Sequence, residues 1–566
     1  MILCDPTVIS SYTEEGVWGQ ATLDALFRKN VRTHGDEIAL VDPPNREDFT
    51  CGPVHRLTYS QADEKIDDLT IMFGELGLNR DDVVAVQMPN TIELPLLILA
   101  CFRAGIIISI LPPLWREYEL EKALLKISPK VLITQPVESD IDYLHLMRET
   151  AAKIISVRHV LAYGKDVLDG IVPIDEAIRF AKENAPVDRN TSENTQKISA
   201  NDVAVITWNG VESPDLMAMP RSHNHLISVG LTVLLEATLA SKSSILCPFN
   251  LSGLGALGGF FVPWILTGGC FHIHNPFDWE CFAQQLEQEK PEFTGLPPVA
   301  LSVLCEKVNR GDLDISQLKS LACMWPTLGL KSSETRDDTY LIPKVIDIFN
   351  LGELAIYAHQ RNDVKTINLI PHGDCKFPTQ TGNGPTLLQT RLKGCAMNNN
   401  TTGSMLVGQL MIKSPMIYDG NFQLEDGTPD GFIPLERDDQ GFVATGIKCE
   451  IVEDDGPKLK PVERTNNILY HGGLAVSATE LDLIYSEFSG IDRAVAVSIS
   501  DAVLGERIAA KIIPSTVDGF SYEDFKNYLE NCKLAPYKIP DQVFKVEEIP
   551  VDDEGSVIRQ TPETST

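Results

Sequence analysis

Residues 83–111 read VVAVQMPNTIELPLLILACFRAGIIISIL. The pattern predicts a strand over Val83–Met88, a helix over Thr91–Ala104 and a second strand over Ile106–Leu111. Upstream, Thr58 and Gln61 form a capping-box pattern. Behind them Ala62, Ile66, Leu69, Phe73 and Leu76 recur at helical spacing, so one face of that helix is buried. A polar turn at Leu78–Asp82 links it to the first strand. Downstream come a helix over Arg116–Lys126 and a strand over Val131–Thr134. Strands alternating with helices predict a parallel sheet covered on both faces.

The chain of 566 residues is too long for one hydrophobic core, so two or more domains are expected. Its 48 basic and 79 acidic residues give a formal charge of −31. Such an acidic surface argues against nucleic-acid partners. Twelve cysteines without a CxxC pair read as reduced thiols of a cytoplasmic protein. Met1–Asp5 lacks the basic and apolar regions of a signal peptide. Two apolar stretches approach membrane length, but Leu94–Leu111 contains Arg103 and Gly105, and Gly253–Gly269 contains six glycines and Pro263. Buried elements are expected for both, with no membrane insertion. Residues 185–200 read as a surface linker, and Asp374–Gly403 and Asp426–Gln440 as loop-rich zones. A small α/β unit follows. Ser477 and Glu480 cap one helix, Val495, Val497 and Ile499 alternate as a strand, and Ser521 and Asp524 open another helix.

The order of further motifs extends this reading. Arg56-Leu-Thr-Tyr-Ser60, Val84–Asn90, Leu296-Pro-Pro298, Gly408–Pro415 with Gly420, His471-Gly-Gly473 with Glu480, and Leu534–Pro540 run through nearly the whole chain. In that order the chain resembles the adenylate-forming superfamily of acyl-CoA synthetases, aryl-acid ligases, adenylation domains and luciferases. The resemblance implies an α/β fold. A large N-terminal domain of mixed, mainly parallel sheets layered with helices would span residues 1–463. A small mobile α+β C-terminal domain would span 464–566, with a hinge at about 463–467 and the active site between the two.

The motifs that carry chemistry in that family are rewritten here. The phosphate loop is matched by Asn209–Ala218, which keeps Gly210 and Ser213 but has Glu212, Pro214 and Met217 where phosphate binding wants donors and a lysine. Trp208 and the pair Ser222-His223 persist on its flanks. The metal and adenylate motif is matched by Phe349-Asn-Leu-Gly-Glu353. Glu353 keeps a carboxylate suited to Mg²⁺, against a plain locally paired carboxylate, and Gly352 replaces a threonine. The adenine wall is matched by Met324-Trp-Pro-Thr327, and Trp325 is expected to fill it. The ribose aspartate becomes Ile447. In the hinge motif Glu463–Asn467, Arg464 survives, either as a site residue or as an interdomain ion pair. Near the C-terminus Gly555 is followed by Ser556 where the family has its catalytic lysine, and Arg559 continues the match. Phe249, Asn250, Gly295, Pro297 and Pro298 stand where the resemblance puts the substrate pocket, and Gly472 and Gly473 on its CoA side.

Other candidates carry less. His272 and His274 alternate on one strand face without a visible third metal ligand. Cys247, Cys281 and Cys323 have no base beside them in sequence. The expectation is therefore an acyl-CoA-synthetase-like protein that is degenerate, binds an acyl, aryl or thioester ligand in the interdomain cleft, and performs little or no ATP-dependent adenylation. A carrier protein or another enzyme is a candidate partner. Two alternatives stay open: a working acid–thiol ligase using ATP, Mg²⁺ and CoA, and an ATP-independent acyl transferase.

Overall fold

The structure, a computed structural model, describes all residues except 51, 139–140, 185–196, 210–215, 326–341, 343, 362–368, 377–385, 399–404, 422–430, 454–455, 465–467, 473, 502–504, 517–519, 552–556 and 560–566. Asn209 and Arg464 are described by their backbone alone.

The opening stretch forms the centre of a seven-stranded sheet. Strand Val83–Gln87 pairs in parallel with Ile107–Ile110 on one side and with Val131–Thr134 on the other. All five of its residues are buried, as expected of a sheet covered on both faces. His159–Ala162 and Val172–Pro173 extend one side in parallel, Val203–Asn209 the other, and Met217–Ser222 closes that edge antiparallel.

The helix Tyr59–Glu75 begins with the expected reciprocal capping box of Thr58 and Gln61 and buries Ala62, Ile66, Leu69 and Phe73. The helix Glu93–Ala104 buries nine side chains and ends at Gly105, whose φ of 70° suits glycine. Arg103 is held on its surface by Asp24, Asp63 and Asp67. No described helix is long and apolar enough to cross a membrane. The Gly253–Gly269 stretch folds into buried short helices, and its glycines allow close contact. A Cβ on Gly258 would lie 2.2 Å from Val229 Cγ1.

A second, eight-stranded sheet runs from Ala355–Gln360 through Val345–Leu351, Ser320–Trp325, Phe293–Leu296, Ile245–Cys247 and Phe271–Ile273 to Ile38–Val41 and Arg56–Thr58. A six-stranded antiparallel sheet follows. Here one expectation fails. Asp374–Gly403 was predicted loop-rich, yet Thr386–Asn398 is a strand pairing with Met405–Lys413 over eight registered positions. The ladder and the burial of Leu387 and Leu388 outweigh the local Gly, Asn and Thr signals. In the other zone, residues 422–430 lie outside the described residues, and Ile433–Pro434 pairs with Gly420–Asn421.

At the C-terminal end, strands Ile468–His471 and Leu474–Ser477 pair as a hairpin. Behind them Ile491–Asp501, Gly505–Pro514 and Gln542–Lys545 form a three-stranded sheet. Ser477 and Ser521 cap helices Ala478–Ser486 and Tyr522–Asn531. Leu469, Leu481, Tyr485, Ile512 and Phe525 belong to a cluster separate from the main core.

Candidate functional site

Loops at the ends of the large sheets and the hairpin Ile468–Ser477 enclose a cleft of about 520 Å³. Its walls are apolar: Trp115, Trp208, Leu216, Phe277, Ile447 and Val476 all line it. Trp115 and Trp208 meet edge to face at 5.6 Å, and Trp208 Nε1 donates to Ser109 Oγ at 2.9 Å.

Glu353 is one of two glutamates among the described residues that line this cleft, the other being Glu480. Strand Val345–Leu351 ends in a turn where Gly352 and Glu353 both adopt left-handed backbone, with φ of 66° and 58°. The Glu353 amide donates to Asn350 Oδ1 at 2.8 Å, and Asn350 Nδ2 donates back to the carboxylate. Leu254 N–H donates to the other carboxylate oxygen at 3.2 Å. Arg221 Nη2 donates to the Glu353 carbonyl. Burial pushes this carboxyl up, against the pull of Arg221 and the two donors. These contacts pair the Glu353 carboxylate with its own turn and with Leu254 N–H.

The far end of the cleft carries its lining lysine. Lys538 Nζ lies 2.7 Å from Glu480 Oε2 and 3.1 Å from Glu119 Oε1, all three buried. Lys122 approaches the other Glu480 oxygen at 3.5 Å. Glu119 also accepts from Ala535 N–H at 3.2 Å. Helix Glu117–Ile127 is thereby tied to the segment that the sequence singled out as Leu534–Pro540.

The other sequence candidates are scattered. Ile447 lines the cleft, and its cross-strand partner is Arg464. Asn250 lines it too, but Phe249, Gly295, Pro297 and Pro298 do not. The pocket expected around Gly295 is filled, because a Cβ there would lie 2.6 Å from Phe260 Cζ and 2.9 Å from Phe249 Cε2. Pro297 is exposed and precedes helix Pro298–Arg310. His223 is buried at the start of helix His223–Glu236, and its Nδ1 accepts from Leu23 N–H at 3.4 Å. Burial pulls its pKa down to about 4.

Met217 sits on the edge strand, where Asn421 Nδ2 contacts its sulfur at 3.6 Å. Asn209 pairs with it across the ladder. Gly472 takes the hairpin turn with φ of 56° and donates to Glu506 O. Gly210, Glu212, Ser213, Pro214, Pro326, Thr327, Gly473, Gly555 and Ser556 lie outside the described residues, as do residues 465–467.

Trp325 corrects its expectation. It does not line the cleft. Its ring stacks on Phe349 at 5.8 Å and its Nε1 donates to the buried Asp347 at 2.7 Å. A buried indole takes the side of the strand where its N–H finds an acceptor.

His272 and His274 do share a face, turned to helix Trp279–Glu289. His272 meets Ser244 Oγ at 2.9 Å and Glu289 at 3.4 Å, while His274 meets Gln285 Oε1 at 2.7 Å. No cluster of three metal-binding side chains occurs among the described residues. Cys247 is buried, its thiol pushed up to about 12, and burial raises Cys281 and Cys323 as well. Arg559 is held by Asp482 and Ala496 O. Asn350, Arg221, Trp115, Glu119 and Lys538 escaped the site reading. Asn350 stands three residues before Glu353 and Arg221 beside Ser222, so their spacing was visible, but their contacts were not.

The family model of the AMP-binding enzymes matches residues 27–331, more than half of the chain. The chain belongs to that family. It is 23% identical to 2-hydroxy-7-methoxy-5-methyl-1-naphthoate–CoA ligase of Streptomyces carzinostaticus, over 97% of this chain and 94% of that protein. It is 24% identical to 2,3-dihydroxybenzoate-AMP ligase of Bacillus subtilis (strain 168), with the same coverage of both. Among solved structures, MbtA of Mycobacterium smegmatis superposes with a TM-score of 0.65 at 20% identity, covering 98% of this chain and 97% of that one.

Proposed function

We propose that this chain binds an acyl, aryl or thioester ligand in its apolar cleft and carries little or no ATP-dependent adenylation. The carrying observation is electrostatic. Among the described residues lining the cleft, Lys538 is the only lysine or arginine, and two buried carboxylates already hold it. Among the described residues, a nucleotide phosphate there would meet Ile447, Trp208 and Leu216, and no uncommitted lysine or arginine. The described lining does not fit a polyphosphate. Each charge-assisted hydrogen bond forgone is about 1.5–3 kcal/mol, and an unpaired buried charge costs several more.

Isothermal titration with Mg-ATP is expected to give no binding tighter than about millimolar, or about −4 kcal/mol. A micromolar constant would reverse the reading. Thermal shift with acids, their CoA thioesters, CoA and AMP is then expected to respond to an acid or its thioester and not to AMP, since a native-state ligand raises apparent stability.

A second reading has its own support. Its relatives are ligases by name, and Glu353 does present a carboxylate to the cleft. In that case the chain is an acid–thiol ligase using Mg-ATP and CoA, and titration gives the opposite result. A cytoplasmic setting is part of either reading; the ten cysteines whose side chains are described are free thiols.

We further propose that residues 464–566 form a unit hinged at 463–467. Limited trypsin digestion is expected to cut first near Arg464 and leave two stable fragments. Cleavage elsewhere first, with no fragment boundary near residue 465, overturns it.

A further inference from the structure

We propose that a second cavity, which shares no lining residue with the cleft, binds a small organic amine that also carries a hydroxyl or carbonyl group. The cavity holds about 610 Å³. It lies outside the carboxyl ends of three neighbouring parallel strands. Ile92 and Glu93 follow Val83–Gln87, Gln135 and Pro136 follow Val131–Thr134, and Tyr163–Asp166 follow His159–Ala162. From Val83–Gln87 the chain first adds a strand on one side, at Ile107–Ile110, and then on the other, at Val131–Thr134. That reversal is a topological switch point, the place where open α/β sheets bind ligands.

The balance of charge in the lining selects the class: the carboxylates of Asp68, Glu93, Asp166 and Asp175 face the cations of Arg46, Lys65 and Lys165, which leaves a net negative charge. Arg46, 3% exposed, is shared by two carboxylates: Asp42 at 2.5 Å and Glu93 at 2.6 Å. This buried triad carries one excess negative charge. Burial first, and then Glu93, push the Asp42 carboxyl up, as expected for uncompensated charge. His55 Nδ1 lies 3.3 Å from Asp42, on the solvent side. An ammonium beside Glu93 would balance the triad, and the Tyr163 ring lines the same space. Gln135 is 4% exposed and lines the cavity. Its Oε1 accepts from Thr91 Oγ1 at 3.0 Å, and its amide NH₂ has no partner among the described residues. That donor calls for a ligand oxygen. Leu69, Leu96 and Ile178 supply an apolar wall.

The test uses the full chain with three matched probes: 2-amino-1-phenylethanol, 1-phenylethanol and mandelate. The amine is expected to raise the melting temperature and to slow hydrogen exchange over residues 163–178. The alcohol and the acid are expected to do neither. Glu93→Gln leaves the Arg46–Asp42 pair and is expected to weaken the amine at least about tenfold. Should that variant not fold, Tyr163→Trp, which narrows the cavity, is expected to give the same loss. No response to the amine, an equal response to mandelate or 1-phenylethanol, or protection at residues 468–477 instead overturns the proposal.

Discussion

Lys538→Met is expected to destabilise the protein by about 3–5 kcal/mol, the usual result of removing one partner from a buried ion pair. Lys538 is 4% exposed, and its ammonium answers both Glu119 and Glu480. Methionine keeps the length and volume of the side chain, so packing changes little. What it leaves is two buried carboxylates with Lys122, 3.5 Å from Glu480, as the nearest remaining cation. Residue 119 is on a helix of the first sheet's layer and residues 480 and 538 are at the C-terminal end. The same variant is therefore expected to loosen that end from helix Glu117–Ile127. Urea denaturation at neutral pH measures the loss, and a loss under about 1 kcal/mol sinks the argument.

The pH dependence has a definite sign. Burial alone would lower the Lys538 pKa, but Glu119 and Glu480 outweigh it and hold it raised. A group raised in the folded state contributes fully below its unfolded value, about 10.4 for lysine. The gap between wild type and variant is therefore expected to stay constant through neutral pH. It should narrow as pH climbs above about 10.4.

The same cluster shows what the sequence could and could not reveal. Thr58 with Gln61, and Ser477 with Glu480, announce helix starts because a cap is a contact between residues three apart. Val83–Gln87 and Val131–Thr134 are legible because a doubly covered strand is apolar along nearly all of its length. That same property hides the site. In a strand buried on both faces, alternation does not say which side turns to the cleft, and Trp325 was assigned to the wrong one. Glu119 and Lys538 are 419 positions apart in the chain, and nothing local in either marks the other. Gly295 reads as a pocket residue until Phe249 and Phe260 are seen to occupy its space. Thr386–Asn398 was lost among turn-forming neighbours because its strand is specified by its partner Met405–Lys413.

Arg221 carries the second large prediction. It is fully buried, with Nε donating to Thr207 Oγ1 at 3.1 Å, Nη1 to Met416 O at 3.1 Å and Nη2 to Glu353 O. Arg221→Met strands two carbonyls in the interior at about 1–3 kcal/mol each. With the stacking on Tyr418 also gone, the expected loss is about 3–6 kcal/mol. The effect should be concentrated at the cleft. Glu353 holds left-handed backbone, which costs a side-chain-bearing residue about 1–2 kcal/mol. Arg221 supplies a bond that keeps it there. Without it the turn should relax and carry the carboxylate away from Leu254 N–H, the donor now 3.2 Å from it. Native-state hydrogen exchange separates this from general loosening. The Leu254 amide is expected to lose protection well beyond the amides of Val83–Gln87 in the other sheet. If Leu254 falls only in step with that strand, or if stability drops by less than about 1 kcal/mol, Arg221 does not hold the Glu353 turn and the cleft is shaped by its apolar walls alone.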